Sequence, residues 1–170
     1  MSNVVPLYPE KVGETESMEA KAFREQIIRP ALKVTGLWSY SAENLLLGTA
    51  LAESGLRSVV QIGGGGALSF FQVEKATYAD CVRYLNRSDK SSLKRSILAA
   101  CYMEMFPPFE CFTWNMRLSC LIARIKYYMH PDALPAASDI EGAASYWLKN
   151  YNAGGKGTIE HYLNAWRATR

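Results

Sequence analysis

A strongly apolar stretch from Leu45 to Ala52 has the pattern of a helix buried in a core. Leucine and alanine fill most of its positions, so the helix that they predict has almost no polar face. Ser41 precedes the stretch and can cap the first turn with its hydroxyl, and Gly55 suits the left-handed position just beyond a helix end. We therefore expect a central helix over residues 41–54.

Apolar residues at helical spacing predict further helices on both sides of the central one. They cover residues 18–33, 74–85, 91–105, 109–128, 140–149 and a last helix capped by Thr158. Pro30 should kink the first of these helices or divide it in two. After the central helix, Val59, Val60 and Ile62 precede four glycines, which predicts a short strand and a tight turn.

These elements predict a mainly α fold with a small β-hairpin excursion after the central helix. Residues 1–16 show no periodicity and are expected to form a flexible arm, and residues 17–170 a single domain. A length of 170 residues and a mass of 19.0 kDa agree with one domain. The net charge of +3 suits an anionic polymer without requiring one. Because basic residues are scattered singly, we expect no nucleic-acid binding.

The sequence has no recognisable targeting segment and no paired-cysteine motif. The N-terminus lacks a charged segment followed by an apolar one, so no secretory signal is expected, and no apolar run is long enough to span a membrane. The four cysteines form no CxxC pair and are expected to be small buried hydrophobes: Cys81, Cys101, Cys111 and Cys120.

No cofactor or metal is expected from the sequence. The glycine run 63–66 lacks the Lys-Ser/Thr pair that closes a phosphate-binding loop. His130 and His161 stand far apart and have no neighbours at metal-ligand spacing. Neither histidine lies in a recognisable Ser-His-Asp or Cys-His arrangement.

Glu53 is the residue to which chemistry is most readily assigned. It falls in the last turn of the central helix, where the negative end of the helix dipole and the apolar surroundings both favour a protonated carboxyl. A carboxyl that is neutral near pH 7 can act as a general acid. The alternative is a surface glutamate on a frayed helix end.

Four blocks of sequence add to this picture. They are Glu-Ser-Gly at 53–55, Gly-Ala-Leu-Ser-Phe-Phe-Gln at 66–72, the segment NMRLSCLIARIKYY that Asn115 begins, and Tyr-Asn-Ala-Gly at 151–154. In this order they resemble the signature of soluble lytic transglycosylases. The resemblance covers roughly residues 40–165. It implies a lysozyme-like α+β fold and peptidoglycan glycan strands as the substrate.

The resemblance also implies roles for individual residues. Glu53 would be the single acid and base that cleaves the bond between N-acetylmuramic acid and N-acetylglucosamine and closes a 1,6-anhydro ring. Gln72 would hydrogen-bond the sugar, and the hydroxyl of Tyr151 would orient the acid. Substrate-binding positions would be Ser54, Phe71, Gln72, Tyr151, Asn152 and Gly154.

A second carboxylate, which glycosidases normally use, is missing from the expected place. The chain has no Asp or Glu between Glu53 and Glu74, so a one-carboxylate mechanism is expected, with Glu74 the best stand-in for a second acid. Two departures weaken the expectation of high activity. Ser69 stands where the family has glycine, and the segment from Glu53 to Gln72 is about one residue longer than usual.

Two alternatives remain open. One is a hydrolytic muramidase of the endolysin type, which would act on the same bond. The other is a phage virion or ejection protein of low activity, which would have virion components as partners. The resemblance, together with the absent export signal, implies a phage or prophage product made in the host cytoplasm. Such a protein would reach periplasmic peptidoglycan through a pore or inside a particle. Chitin-type oligosaccharides are a weaker option as substrate.

Overall fold

The computed structural model describes residues 17–170, and the arm expected over residues 1–16 lies outside them. The described chain is mainly helical, as the apolar pattern predicted. Its α-helices are α1 Met18–Phe23, α2 Arg29–Val34, α3 Tyr40–Ser54, α4 Lys75–Leu85, α5 Ser91–Ala100, α6 Met116–Tyr128, α7 Ile140–Asn150 and α8 Ile159–Arg167. None of these helices has the length and apolarity that crossing a bilayer requires.

Helix α3 is the centre of the fold and contacts α6, α7 and α8. Its residues from Ala42 to Ala52 are buried apart from Asn44, and each fully buried leucine contributes about 1.5–3 kcal/mol. The helix begins earlier than expected, because the hydroxyl of Ser39 rather than Ser41 accepts the amide hydrogen of Ala42 at 3.0 Å. It ends as predicted at Gly55, whose φ of 59° is left-handed.

The predicted first helix is divided as Pro30 required. Between α1 and α2 the chain forms a π-helical turn over Arg24–Ile28, and Pro30 lies at the start of α2. Because proline has no amide hydrogen and crowds the carbonyl four residues earlier, the backbone ahead of it widens instead of continuing as a regular α-helix.

Two helices differ from their predicted bounds. Helix α5 stops at Ala100 instead of near residue 105, because the chain turns at Tyr102, whose φ of 56° is left-handed. The predicted helix 109–128 is two elements, a 3₁₀ turn over Phe109–Thr113 and then α6. The side chain of Asn115 separates them, since it caps α6 by accepting the amide hydrogen of Leu118 at 2.9 Å.

The segment between α3 and α4 contains less β-structure than a hairpin. Within the described residues it has two isolated antiparallel bridges, Val60 with Leu68 and Leu68 with Val73, and no continuous strand. The glycine run supplies no side chains to pack against a partner, so the pairing does not extend. Leu68 takes part in both bridges, so the chain reverses direction once between Val60 and Leu68 and again between Leu68 and Val73.

A buried carboxylate joins the first helices to α3. Glu43 is 1% exposed and accepts hydrogen bonds from Arg29 at 2.7 and 2.9 Å, Arg24 at 3.1 Å and Trp38 at 2.8 Å. Burial pushes the pKa of Glu43 up, but these hydrogen bonds outweigh it and hold the pKa below its ordinary value. The sequence pattern did not single out this residue.

The four cysteines are free thiols, and two of the four are buried as expected. Cys81 and Cys120 are buried, and the other two are half-buried. Burial raises the pKa of the Cys81 thiol to about 12 and that of Cys101 to about 11. Because the thiolate is the reactive form, neither of these thiols is prepared for nucleophilic chemistry.

Candidate functional site

Glu53 lies in the last turn of α3 and is held by two side chains from the far end of the sequence. The indole Nε1–H of Trp147 donates to its Oε1 at 2.9 Å, and Nδ2 of Asn152 lies 3.4 Å from the same oxygen. The carboxyl is half-buried. It is therefore not a loose glutamate on a frayed helix end.

The surroundings of Glu53 favour its neutral form. Burial raises the pKa of the carboxyl, while the hydrogen bonds from Trp147 and Asn152 and the positive charge of Lys126 oppose the rise without cancelling it. The sequence-based expectation of a carboxyl with a raised pKa agrees with this direction. A carboxyl in this state can give a proton to a bound substrate and take one back.

Glu53 borders an open cavity of about 460 Å³ between the end of α3 and the connection from α7 to α8. Its lining is formed by Ala52, Glu53, Trp147, Asn152, Lys156, Gly157, Thr158 and His161. Glu53 is the one carboxyl among these residues of the described chain. Within residues 17–170, no group of three or more His, Cys, Asp or Glu side chains is arranged to hold a metal ion.

The connection from α7 to α8 fixes the orientation of Asn152. The amide N–H of Gly157 donates to Oδ1 of Asn152 at 3.0 Å, which turns Nδ2 toward Glu53. Gly157 also has no room for a side chain, because a Cβ atom there would lie 2.3 Å from Cη2 of Trp147 and 2.8 Å from Oδ1 of Asn152. Glycine at this position therefore lets both donors reach Glu53.

His161 forms another part of the cavity wall. Its Nε2 lies 2.7 Å from the carbonyl oxygen of Ala52, and because a carbonyl only accepts, this nitrogen carries the proton. Thr158 caps α8 as predicted, since its hydroxyl accepts the amide hydrogen of His161 at 3.1 Å. The imidazole is thus tied to the same turn of α3 that carries Glu53.

Tyr151 does not orient the acid as the resemblance implied. Its hydroxyl donates to the backbone carbonyl of Phe71 at 2.8 Å, and its side chain is buried. Ser54 holds Phe70, the residue before Phe71, since its hydroxyl donates to the carbonyl of Phe70 at 2.8 Å. The two hydroxyls therefore fasten the aromatic segment next to the end of α3.

Phe71 is a core residue and not a substrate contact. Its side chain has no exposed surface and packs against Phe23, with 5.7 Å between ring centroids. The expectation that Phe71 binds substrate is therefore wrong. Its contribution to the site comes from the backbone carbonyl that accepts the Tyr151 hydroxyl.

Gln72 and Ser69 form a tight turn outside the cavity lining. Nε2 of Gln72 donates to the Ser69 carbonyl at 2.8 Å, so its amide is directed back onto the chain. Ser69 is fully buried with a left-handed φ of 69°, and its hydroxyl accepts the amide hydrogen of Phe71 at 3.1 Å. Serine thus adopts a backbone conformation that favours glycine, and its hydroxyl adds a bond that glycine cannot form.

The remaining predicted positions lie at the edge of the site or beyond it. Gly154 is exposed, with a left-handed φ of 80°, and is not part of the cavity wall. Glu74 is exposed at the residue before α4 and does not line the cavity either. The structure therefore brings together Glu53 and Asn152 from the predicted set, and it does not add Glu74 to them.

Lys126 provides positive charge behind the site. Its ammonium donates to the Tyr151 carbonyl at 2.6 Å and lies 4.1 Å from the centroid of the Tyr151 ring. Burial lowers the pKa of Lys126, and the negative charge of Glu53 opposes this shift. Each group therefore favours the charged form of the other.

Comparisons with protein-family models, with curated proteins and with solved structures found no match. The function is therefore inferred from the side chains around Glu53. Sequence reasoning missed Trp147, Lys156, Gly157 and His161 as site residues. Trp147 had one usable signal, because a buried tryptophan needs an acceptor for its N–H and this one precedes the Tyr-Asn-Ala-Gly block by one helical turn.

Proposed function

We propose that this protein is a lytic transglycosylase that cleaves the β-1,4 bond between N-acetylmuramic acid and N-acetylglucosamine in peptidoglycan, with Glu53 as its single acid and base. One observation carries the proposal. Glu53 is a protonatable carboxyl with a raised pKa at an open cavity whose lining includes no second carboxyl among the described residues.

The reaction can be written with one carboxyl. Glu53 gives its proton to the glycosidic oxygen as the bond from that oxygen to the muramic acid C1 breaks. The carbonyl oxygen of the substrate's own acetamido group bonds to C1 and stabilises the developing cation. Glu53, now a carboxylate, takes the proton of the C6 hydroxyl. The C6 oxygen then bonds to C1 as the acetamido oxygen leaves. No water is consumed, and the product ends in a 1,6-anhydro ring.

The order of elements supports a lysozyme-like arrangement for this chemistry. The acid stands at the end of a buried helix, and a segment with two β-bridges follows it directly. The Asn115-capped helix α6 comes later, and the residues 151–154 return to the acid through Asn152. These are the four blocks on which the resemblance rests, and two of them meet at Glu53.

A second candidate function is a phage virion or ejection protein with little turnover. Two observations favour it. Phe71 is fully buried, and the amide of Gln72 is bonded to Ser69, so two positions implied to bind sugar are engaged within the protein. In this alternative the protein has the same architecture but catalyses little or no glycan cleavage.

Release of soluble fragments from purified sacculi tests the proposal against this alternative. Wild-type protein should release them, and Glu53→Gln should lower the rate by about 10²–10⁴-fold while the protein stays folded by circular dichroism. Glu74→Gln, a change at an exposed glutamate outside the cavity, is the matched control and should keep the wild-type rate. Wild-type activity in Glu53→Gln would refute the role of Glu53, and no release by any variant would favour the virion protein.

A further inference from the structure

Both hydrogen-bond donors around Glu53 reach the same oxygen. Trp147 Nε1 lies 2.9 Å and Asn152 Nδ2 3.4 Å from Oε1. No group of residues 17–170 donates to Oε2. An oxygen without a donor is either buried and unsatisfied or accessible, and Oε2 is not one of the buried unsatisfied atoms. It is therefore open to the cavity. The two oxygens of the carboxyl are therefore in different surroundings.

The neutral carboxyl must place its proton to suit these donors. An N–H donor needs a lone pair, and the carbonyl-type oxygen of a neutral carboxyl is a better acceptor than its hydroxyl oxygen. With two N–H groups on Oε1, the carbonyl oxygen is Oε1 and the hydroxyl is on Oε2. We propose, building on the function proposed above, that Trp147 and Asn152 are positioning residues that hold the transferable proton of Glu53 on Oε2, facing the substrate.

The donors are themselves fixed in place. Trp147 is 1% exposed, and its backbone carbonyl accepts the amide hydrogens of Tyr151 at 2.8 Å and Asn152 at 3.0 Å. The amide of Asn152 cannot turn over without losing its bond from Gly157 N–H. The orientation of both donors is thus set before substrate binds, which is the condition for preorganised catalysis.

This arrangement serves both halves of the reaction. When Oε2 gives its proton to the glycosidic oxygen, the N–H groups on Oε1 stabilise the carboxylate that forms. Oε2, which no donor from residues 17–170 reaches, can then take the C6 hydroxyl proton. One oxygen acts as acid and then as base, and the other anchors the group.

The sharpest test removes the indole N–H and keeps the ring. Trp147→benzothienylalanine puts sulfur in place of the N–H, and the same change at Trp114, which is 66% exposed, is the matched control. Isotope-edited infrared spectra give the C=O stretch of protonated Glu53, assigned by its loss in Glu53→Gln. Carbon-13 NMR titration gives the pKa of the same carboxyl, and sacculus digestion gives the rate. Asn152→Ala is a second variant, in case the altered tryptophan does not fold.

We expect the Trp147 replacement to shift the C=O stretch to higher wavenumber, because the carbonyl loses a donor. We also expect it to raise the pKa of Glu53, to move the alkaline limb of the pH–rate profile with it, and to lower kcat by about 10²-fold. Asn152→Ala should change the C=O stretch, the pKa of Glu53, the alkaline limb and kcat in the same directions. The Trp114 replacement should change none of these four quantities. An unchanged C=O stretch and pKa would overturn the positioning role. Shifts in both with no glycan cleavage by any form would keep the assignment of the proton and refute the transglycosylase function.

Discussion

Glu43 and Glu53 lie on the same helix, α3, and their surroundings move the pKa values of their carboxyls in opposite directions. Glu43 is fully paired with two guanidinium groups and an indole, and its pKa is lowered. Within residues 17–170 Glu53 accepts hydrogen bonds only from uncharged donors, and burial raises its pKa. Because their pKa values are shifted in opposite directions, we assign Glu43 a structural role and Glu53 the role of a candidate acid.

Replacing Glu53 with glutamine should stabilise the protein at neutral and alkaline pH. Because the folded-state pKa is raised, the native state binds the proton more tightly than the unfolded state, and this contribution to stability is lost as pH rises through the folded pKa. The glutamine side chain cannot ionise, so the variant escapes the loss. Thermal melts should give the variant a higher Tm than wild type at pH 8, and the difference should shrink below the ordinary carboxyl pKa of 4.5. A lower Tm for the variant at pH 8 would show that the charged form is not disfavoured.

Replacing Glu43 with glutamine should have the opposite effect on stability. The change removes the buried carboxylate that pairs with Arg29, at a cost of about 3–5 kcal/mol in the free energy of unfolding. Because the folded-state pKa is lowered, the contribution of the wild-type pair is present above the ordinary value of 4.5 and is lost as pH falls through the folded pKa. Urea unfolding at pH 7 and pH 3 measures both effects. A variant as stable as wild type at pH 7 would contradict the role of this pair.

Gly157→Ala should disable the site by displacing Trp147, without changing Glu53 itself. A Cβ atom would lie 2.3 Å from Cη2 of Trp147, so the indole or the loop must move, at about 1–3 kcal/mol. Gly154→Ala is the control, because its left-handed φ of 80° costs roughly 1–2 kcal/mol while nothing lies within 4 Å of the added carbon. With both variants folded, sacculus digestion should fall sharply for Gly157→Ala alone. Equal loss in both would mean that stability, and not the position of Trp147, limits the rate.

Tyr151→Phe should cost stability more than chemistry. The lost hydroxyl leaves the Phe71 carbonyl without its buried donor, which costs about 1–3 kcal/mol. The hydroxyl donates to Phe71, while the donors to Glu53 are Trp147 and Asn152, so we expect kcat within a few-fold of wild type and a clearly lower Tm. A collapse of kcat with the Tm unchanged would restore the role that the resemblance implied for this hydroxyl.

The helices could be predicted from the sequence because their signals are local. Thr158 caps α8 through its own side chain, and Gly55 ends α3 with a left-handed turn, both as predicted. The errors came where two local signals compete. Ser39 and Ser41 are both good caps, and the apolar spacing that predicts a helix to residue 105 competes with the turn at Tyr102.

The site was predictable only in part, because its geometry depends on contacts distant in sequence. Glu53 could be identified from its place at the end of an apolar helix. Trp147 was missed, since its bond to Glu53 spans 94 positions of the chain. The direction of the Tyr151 hydroxyl and the burial of Phe71 likewise depend on how the segment after α3 folds back.

The most direct test of the central claim is mass spectrometry of the soluble muropeptides released from purified sacculi, with Glu53→Gln as the control. We expect wild-type products one water lighter than hydrolysed muropeptides, ending in the 1,6-anhydro sugar, and none above background from the variant. Products with reducing ends would contradict transglycosylation and identify a hydrolytic muramidase, which would need a water-activating group besides Glu53.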